Sequence, residues 1–244
     1  MVLQEAFRPD IVQRLADETG LGAVAAWRGR SVAVIGREPL GEPRWIRPRW
    51  SQHAFVDVRL PSSAVHIVGV HLSAVHAAWT ERRRVHELRA LLAAIAGNVS
   101  PRRVILGDFN TLAPGEALDP ARLPRRLRLL VWLSGGKIRW QTIAIMLGAG
   151  YVDCFRQVAL TAPGFTFPTW EPHVRLDYGF VPQSSSSAIR HCAVVREGPV
   201  AQASDHFPLL LDVAVEDIQR STVEPAARNS AVASRQAGNL LPPS

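Results

Sequence analysis

Strand-like runs arrive in this chain both back to back and across helical stretches, and that alternation limits its fold more than any other feature. "SVAVIG", "HAFVDVRL" and "AVHIVGVHL" follow one another with Val and Ile enrichment and alternating polarity. "LPSS", between the last two, has the composition of a hairpin turn. A helical period then intervenes, with Val85, Leu88, Leu91, Leu92 and Ile95 at helical spacing behind Thr80 as a candidate cap and Gly97 as the stop. "RRVILGDFN" is the next strand, a further helix is expected over about Ile138 to Leu147, and "RLDYGFV", "IRHCAVV" and "PLLLDVAV" close the domain. Ahead of all these, Arg8 to Thr19 reads as a helix started near Pro9 and Asp10 and stopped by Gly20. Neighbouring strands require hairpins and helix-separated strands require crossovers. The expected fold is therefore a mixed sheet or sheet sandwich with outer helices, not a purely parallel sheet.

A chain of 244 residues that is 47% hydrophobic is long enough for one large α/β core. One domain is expected over residues 1–218. Residues 219–244, rich in Ala, Ser, Pro, Arg and Asn without periodicity, read as a disordered tail. The two cysteines, Cys154 and Cys192, each sit in an apolar strand-like run, which excludes a disulfide framework or a zinc cluster and suggests a reducing, cytoplasmic setting. Met1 to Asp10 lacks the basic start and apolar run of a secretory signal. The most apolar later stretch, "RLRLLVWLSGGKIRWQTIAIMLGAG", is broken well short of the ~20 apolar residues that a membrane span needs.

The strands end on polar groups. Glu5 closes "MVLQE", His71 closes "VGVHL", and Asp108 and Asn110 close "VILGDFN". Asp177 interrupts "RLDYGFV", and Asp205 and His206 immediately precede the last strand. Such groups can converge on one edge of a sheet. Carboxylates with one carboxamide suit a hard divalent cation such as magnesium better than zinc. An imidazole beside acids can be held protonated to meet an anionic oxygen. These are the parts for metal-assisted attack of water on a phosphate ester. Each piece alone has a plainer reading: an Asx-type turn for "GDFN", a core histidine for His71, a solvated Glu5, an ion pair of Asp177 with Arg175, and a turn cap for "SDH".

Taken together and in order, "LQE", "SVAVIGREPL", "VHIVGVHLSA", "VILGDFN", "RLDYGFVP" and "SDHFPLLLDV" resemble the endonuclease/exonuclease/phosphatase superfamily over roughly residues 1 to 215. The resemblance implies a four-layer α/β/β/α sandwich of two mixed sheets, with magnesium or manganese at the sheet edge. It implies metal ligation by Glu5 and Asp205, action on the attacking water by Asp108, and phosphate contacts from Asn110, His71 and His206, with Asp177 as the carboxylate partner of His206. In the superfamily a strand ending in a metal-site asparagine normally precedes the "QE" strand. That strand has no counterpart here, so the domain is expected to be N-terminally truncated.

The substrate is bounded less tightly. "TLAPGE" after Asn110 lacks the Tyr-Arg typical of the inositol-polyphosphate phosphatases. The formal charge of +7 favours an anionic partner, and Arg122, Arg125, Arg126, Arg128, Lys137 and Arg139 nearly account for it. That segment suits either a nucleic-acid backbone or an anionic membrane surface, with Trp132 and Trp140 for stacking or insertion, or else a solvated helix packed through Leu127, Leu130 and Val131. Arg82 to Arg84, flanked by Glu81 and Glu87, read as a surface with local ion pairs. The expected activity is that of a monomeric metal-dependent phosphodiesterase or nuclease. The alternatives are an impaired member that binds nucleic acid or anionic lipid, and a sphingomyelinase-type lipid phosphodiesterase.

Overall fold

Alternating Val and Ile side chains, pointing to opposite faces of each strand, let this chain build a sheet that is buried on both sides. The computed structural model describes residues 1–51, 53–75, 77–96, 102–123, 125–133 and 140–215. Along the chain come β1 (Val2–Gln4), α1 (Pro9–Thr19), β2 (Ala23–Ala25), β3 (Val32–Gly36), β4 (Arg44–Ile46), β5 (Phe55–Arg59), β6 (His66–His71), α2 (Ala78–Ala96) and β7 (Arg103–Asp108). Next are α3 (Arg125–Leu133), α4 (Thr142–Gly148), β8 (Tyr151–Asp153), α5 (Cys154–Val158), β9 (Asp177–Pro182), β10 (Ile189–Val194), α6 (Val200–Ala203) and β11 (Leu209–Val213). Gly97, Lys137, Arg139 and the tail over 219–244 lie outside the described residues. No described helix is long and apolar enough to cross a membrane.

The large sheet has the order β4-β5-β6-β7-β9-β8. Among the described residues its one parallel pair is β6 with β7. Parallel neighbours need a long crossover, which α2 supplies. β5 and β6 are joined by the expected turn, where the Ala64 amide donates to the Leu60 carbonyl at 2.8 Å. A second sheet, β1-β3-β2, is antiparallel throughout, so only one of the two principal sheets is mixed. β10 and β11 form a separate antiparallel pair.

Period-two alternation sorts the large sheet's residues between two faces. Val68, Val70, Ile105 and Phe180 pack outward with Leu88 and Leu91 of α2 and Ile143 and Met146 of α4. On the inner face, Val56 and Val58 meet Val32 and Val34 of the smaller sheet, while Val104 and Val181 meet Cys192 of β10. α1 covers the smaller sheet's other side with Val12 and Ala16 against Ala33 and Ile35. The layers are therefore helix, sheet, sheet, helix. Between β1 and β11 lies a cleft of about 720 Å³, floored by Leu106, Gly107, Asp177 and Tyr178 and bordered by His206.

Several local expectations change. Thr80 lies inside the first turn of α2, where its hydroxyl accepts the Ala77 N–H at 3.1 Å, so it supports the cap from the third helical position. Cys154 begins a short helix instead of lying in a strand, and both cysteines are free and buried. Arg84 is 0% exposed, and Glu81 and Glu87 are buried with it, so the Arg82 to Arg84 run is only partly surface. The helix expected from Ile138 is described from Thr142 onward.

Candidate active site

Register builds the centre of the site. His71 is the Cα partner of Asp108 across β6 and β7, and Asp108 is the partner of Asp177 across β7 and β9. Three polar residues therefore form one row across three strands. Alternation places the row on the inner face, opposite the outward-packing Val70, Phe109 and Tyr178. The row depends on close backbone approach at Gly107, which has φ 144° and where an added Cβ would run into the Val70 carbonyl.

Beyond Asp108 the chain turns through Asn110 at φ 51°, a left-handed conformation that asparagine tolerates. The Asn110 N–H donates to Asp108 Oδ1 at 2.8 Å. Its side-chain amide donates to Asp108 Oδ2 at 2.7 Å and to the Leu72 carbonyl at 3.1 Å. "GDFN" is thus both an Asx-type turn and the holder of a buried carboxylate. Both protons of the Asn110 amide are committed, so in this arrangement the residue acts on Asp108 first.

His206 is brought in from the loop before β11. Its Nδ1 lies 2.8 Å from Asp177 Oδ2, and its backbone N–H donates to Ser204 Oγ at 3.0 Å. Asp177 is fixed in turn, because Thr166 Oγ1 accepts the backbone N–H groups of Leu176 at 3.0 Å and Asp177 at 3.3 Å. Arg175, a conceivable partner for Asp177, pairs instead with Asp153 at 2.7 Å and Glu116 at 2.8 Å. Asp108, Asp177 and His206 each offer a ligand-type atom within 4.8 Å of the others.

The two imidazoles of the site are pushed in opposite directions. Burial lowers the His206 pKa, but the hydrogen bond and charge of Asp177 and the charges of Asp108 and Asp205 outweigh it, raising the value to about 9. His206 is therefore a cation near neutral pH. Burial drives His71 down to about 4, helped by repulsion from His53 and His206. Its Nδ1 is buried without a hydrogen-bond partner, and its Nε2 stands 3.8 Å from Asp108 Oδ2. Burial and the neighbouring Asp177 carboxylate hold Asp108 well above the ordinary carboxylate range, against the pull of His206.

Glu5 and Asp205 are placed differently. Both are exposed, Glu5 at φ 55° where β1 ends and Asp205 beside His206, and neither belongs to the close trio. The sequence reading also missed His53, whose ring centroid is 4.7 Å from that of His71 and whose Nδ1 lies 3.0 Å from Ser31 Oγ. The signal was present in "SQH", polar residues placed just before a strand.

A buried network under the site was missed as well. Glu81 Oε2 accepts from Arg84 at 3.0 Å and from the Thr111 hydroxyl at 2.8 Å. Glu81 Oε1 accepts the Gln141 and Thr142 N–H groups and the Thr142 hydroxyl, each at 2.8 Å. One carboxylate thereby caps α4 and anchors the residue after Asn110. Trp140, expected as a stacking residue, packs partly buried against Leu112 and Leu176, with the Arg84 guanidinium 5.9 Å over its ring.

No protein-family model and no curated protein matches the chain by sequence. Solved structures do. The 3′ phosphatase NExo from Neisseria, bound to product DNA hairpin, superposes with a TM-score of 0.65 at 17% identity over 87% of each chain. An AP endonuclease from Archaeoglobus fulgidus gives 0.65 at 16% identity, again over 87% of each chain. TDP2 from D. rerio, complexed with single strand DNA product, gives 0.57 at 18% identity over 86% of this chain and 83% of that one. All three are members of the endonuclease/exonuclease/phosphatase superfamily, and at these identities the likeness is one of fold.

Proposed function

We propose that this chain, built on the endonuclease/exonuclease/phosphatase fold, is a divalent-metal-dependent phosphodiesterase that acts on nucleic acid. The observation that carries the reading is the inner-face row of His71, Asp108 and Asp177 with His206 closing it, which sets a buried carboxylate of raised pKa beside a fixed imidazolium. NExo, the AP endonuclease and TDP2 support the choice of reaction class and of polymer.

A magnesium or manganese ion fits the donors present. The site is rich in carboxylate oxygen, and the burial and Asp177 charge that raise the Asp108 pKa are what a nearby divalent cation would offset. His206 Nδ1 is committed to Asp177 and its ring is protonated, so this imidazole is a poor ligand despite its place in the trio. We assign the ion to Glu5 and Asp205, the exposed carboxylates at the end of β1 and beside His206. When bound, it would supply charge neutralisation at the phosphate and a more acidic water.

The protein's own groups would do the rest. Asp108, held by the backbone N–H and one side-chain N–H of Asn110, would orient an attacking water and take its proton in its ionised form, which the His206 cation favours. His206, kept cationic by Asp177, donates to a phosphate oxygen where negative charge builds. His71, neutral, stands with Nε2 beside Asp108, placed to meet a second oxygen.

The test is hydrolysis of an aryl phosphodiester and of an end-labelled oligonucleotide with magnesium or manganese, repeated in excess chelator. Hydrolysis that is equal with and without chelator, or absent from both substrates, overturns the reading.

A further inference from the structure

An aromatic path leaves the phosphate-binding groups on each side. On one side the His206 ring lies 4.7 Å from Phe167, which lies 6.2 Å from Trp170, and Trp170 is 74% exposed. On the other, the His71 ring lies 4.7 Å from His53, whose loop, between β4 and β5, also presents Trp50 at 85% exposure. The sheet order puts β5 and β9 on opposite flanks of β6 and β7, so the loops that carry the two tryptophans approach the row of His71 and Asp108 from opposite sides.

Both loops are pinned. The Trp50 carbonyl accepts from Arg83 at 3.1 Å, the Arg49 carbonyl meets His86 Nε2 at 3.1 Å, and the Ser51 hydroxyl donates to buried Glu87 at 2.7 Å. Thr169, adjacent to Trp170, donates through its N–H to the Asp205 carbonyl at 2.9 Å and through its hydroxyl to the Ser204 carbonyl at 3.1 Å. Indoles of this size, exposed on anchored loops, have already lost the chain entropy that binding would otherwise cost. Positive charge accompanies Trp50, where the Arg49 guanidinium stands 5.9 Å over the ring. Beside Trp170, Arg122 pairs with Asp119 at 3.7 Å and with Glu171 at 3.9 Å.

We propose that Trp50 and Trp170 are stacking platforms for unpaired nucleobases on the two sides of the bound phosphate, so that the site prefers single-stranded or frayed nucleic acid to an intact duplex. This rests on the reading of the chain as a phosphodiesterase of nucleic acid. Every base has a face that an indole can stack on, and an unpaired strand presents those faces where a duplex hides them. A bilayer fits less well, because the two indoles sit on separate pinned loops on either side of the row and not on one amphipathic helix face.

Fluorescence anisotropy in excess chelator measures binding without turnover. With a labelled single-stranded oligonucleotide, Trp50→Ala and Trp170→Ala should each weaken affinity roughly 5- to 150-fold, as loss of one stacked base implies. Trp50→Phe and Trp170→Phe should recover most of it. A duplex of the same sequence should bind the unaltered protein more weakly than the single strand does. Single-strand affinities within about twofold of the parent in both alanine variants overturn the proposal, as does equal affinity for duplex. So does a loss seen only on phosphatidylserine–phosphatidylcholine vesicles. If the unaltered chain hydrolyses no phosphodiester while its tryptophan-dependent binding persists, the hydrolase reading fails and the surface assignment stands.

Discussion

His206 Nδ1 lies 2.8 Å from Asp177 Oδ2, a contact that spans 29 residues and ties the loop before β11 to the first residue of β9. Because this pairing raises the His206 pKa from 6.5 to about 9, it contributes stability that is complete below 6.5 and is lost as pH rises through 9. Asp177→Asn should bring the His206 titration midpoint, followed by NMR of the ring protons, down toward 6.5. The same variant should shift the alkaline limb of the pH–rate profile to lower pH. A midpoint still near 9 would mean that Asp177 is not what charges the ring.

His71 carries the opposite linkage. Its pKa is about 4 in the folded protein against 6.5 in an open chain, so the unfolded state binds the extra proton between those values. Stability present above pH 6.5 is therefore lost as pH falls through 4, by about 3 kcal/mol from this group alone. Urea unfolding between pH 4 and 7 should show that slope, and His71→Gln should flatten it. An unchanged slope would show that other groups set the acid limit.

Asp108→Asn should reduce turnover of a phosphodiester about 100- to 10,000-fold, the usual span for loss of a general base. Oligonucleotide affinity in chelator should survive. Wild-type turnover in this variant would remove Asp108 from the reaction, whereas loss of binding and folding together would make it structural.

Replacing Glu81 by Gln should destabilise the fold by about 3 to 5 kcal/mol, because Arg84 is left buried without its carboxylate. Gln keeps one acceptor oxygen, so either the Thr142 cap of α4 or the Thr111 anchor loses its acceptor in the same step. Chemical denaturation gives the number, and a change under 1 kcal/mol would show the network to be dispensable.

Arg125 and Arg128 lie exposed on α3, while Val131 turns inward. If both arginines meet phosphates, replacing them with Ala should make the slope of log affinity against log salt shallower by about 2 units for duplex and somewhat less for single strands. An unaltered slope would leave α3 a solvated helix packed through Val131.

How much of this was legible in the sequence depends on how far apart the cooperating residues lie. The large sheet's strands could be read because their pattern is local, as in Val68, Val70, Ile105 and Phe180, and the meeting of His71 with Asp108 followed from where β6 and β7 stop, whereas Asp177, read as interrupting "RLDYGFV", is the first residue of β9. Glu81 could not be read in the same way. Its spacing to Arg84 is that of an ordinary surface ion pair, and the partners that bury it, Thr111 and Thr142, are 30 and 61 residues away. His53 was hidden for a related reason, since its place over His71 depends on how β4 and β5 fold beside β6. The antiparallel second sheet was also out of reach, because three-residue strands such as β1 and β2 carry too few residues to declare their direction.

The cleft between β1 and β11 divides the site by mechanical character. His71, Asp108 and Asp177 hang from strands with hydrogen-bonded neighbours on both sides, so releasing them requires opening the central sheet. Glu5 hangs from β1, three residues long and laddered only to β3 among the described residues. Such a strand can open by itself at a small fraction of the global unfolding free energy, and its amides should exchange with solvent deuterium well before those of β6 and β7. One acidic corner of the site is therefore on a hinge of low cost. The carboxylate proposed for the metal would then exchange its place at lower cost than the row of His71, Asp108 and Asp177.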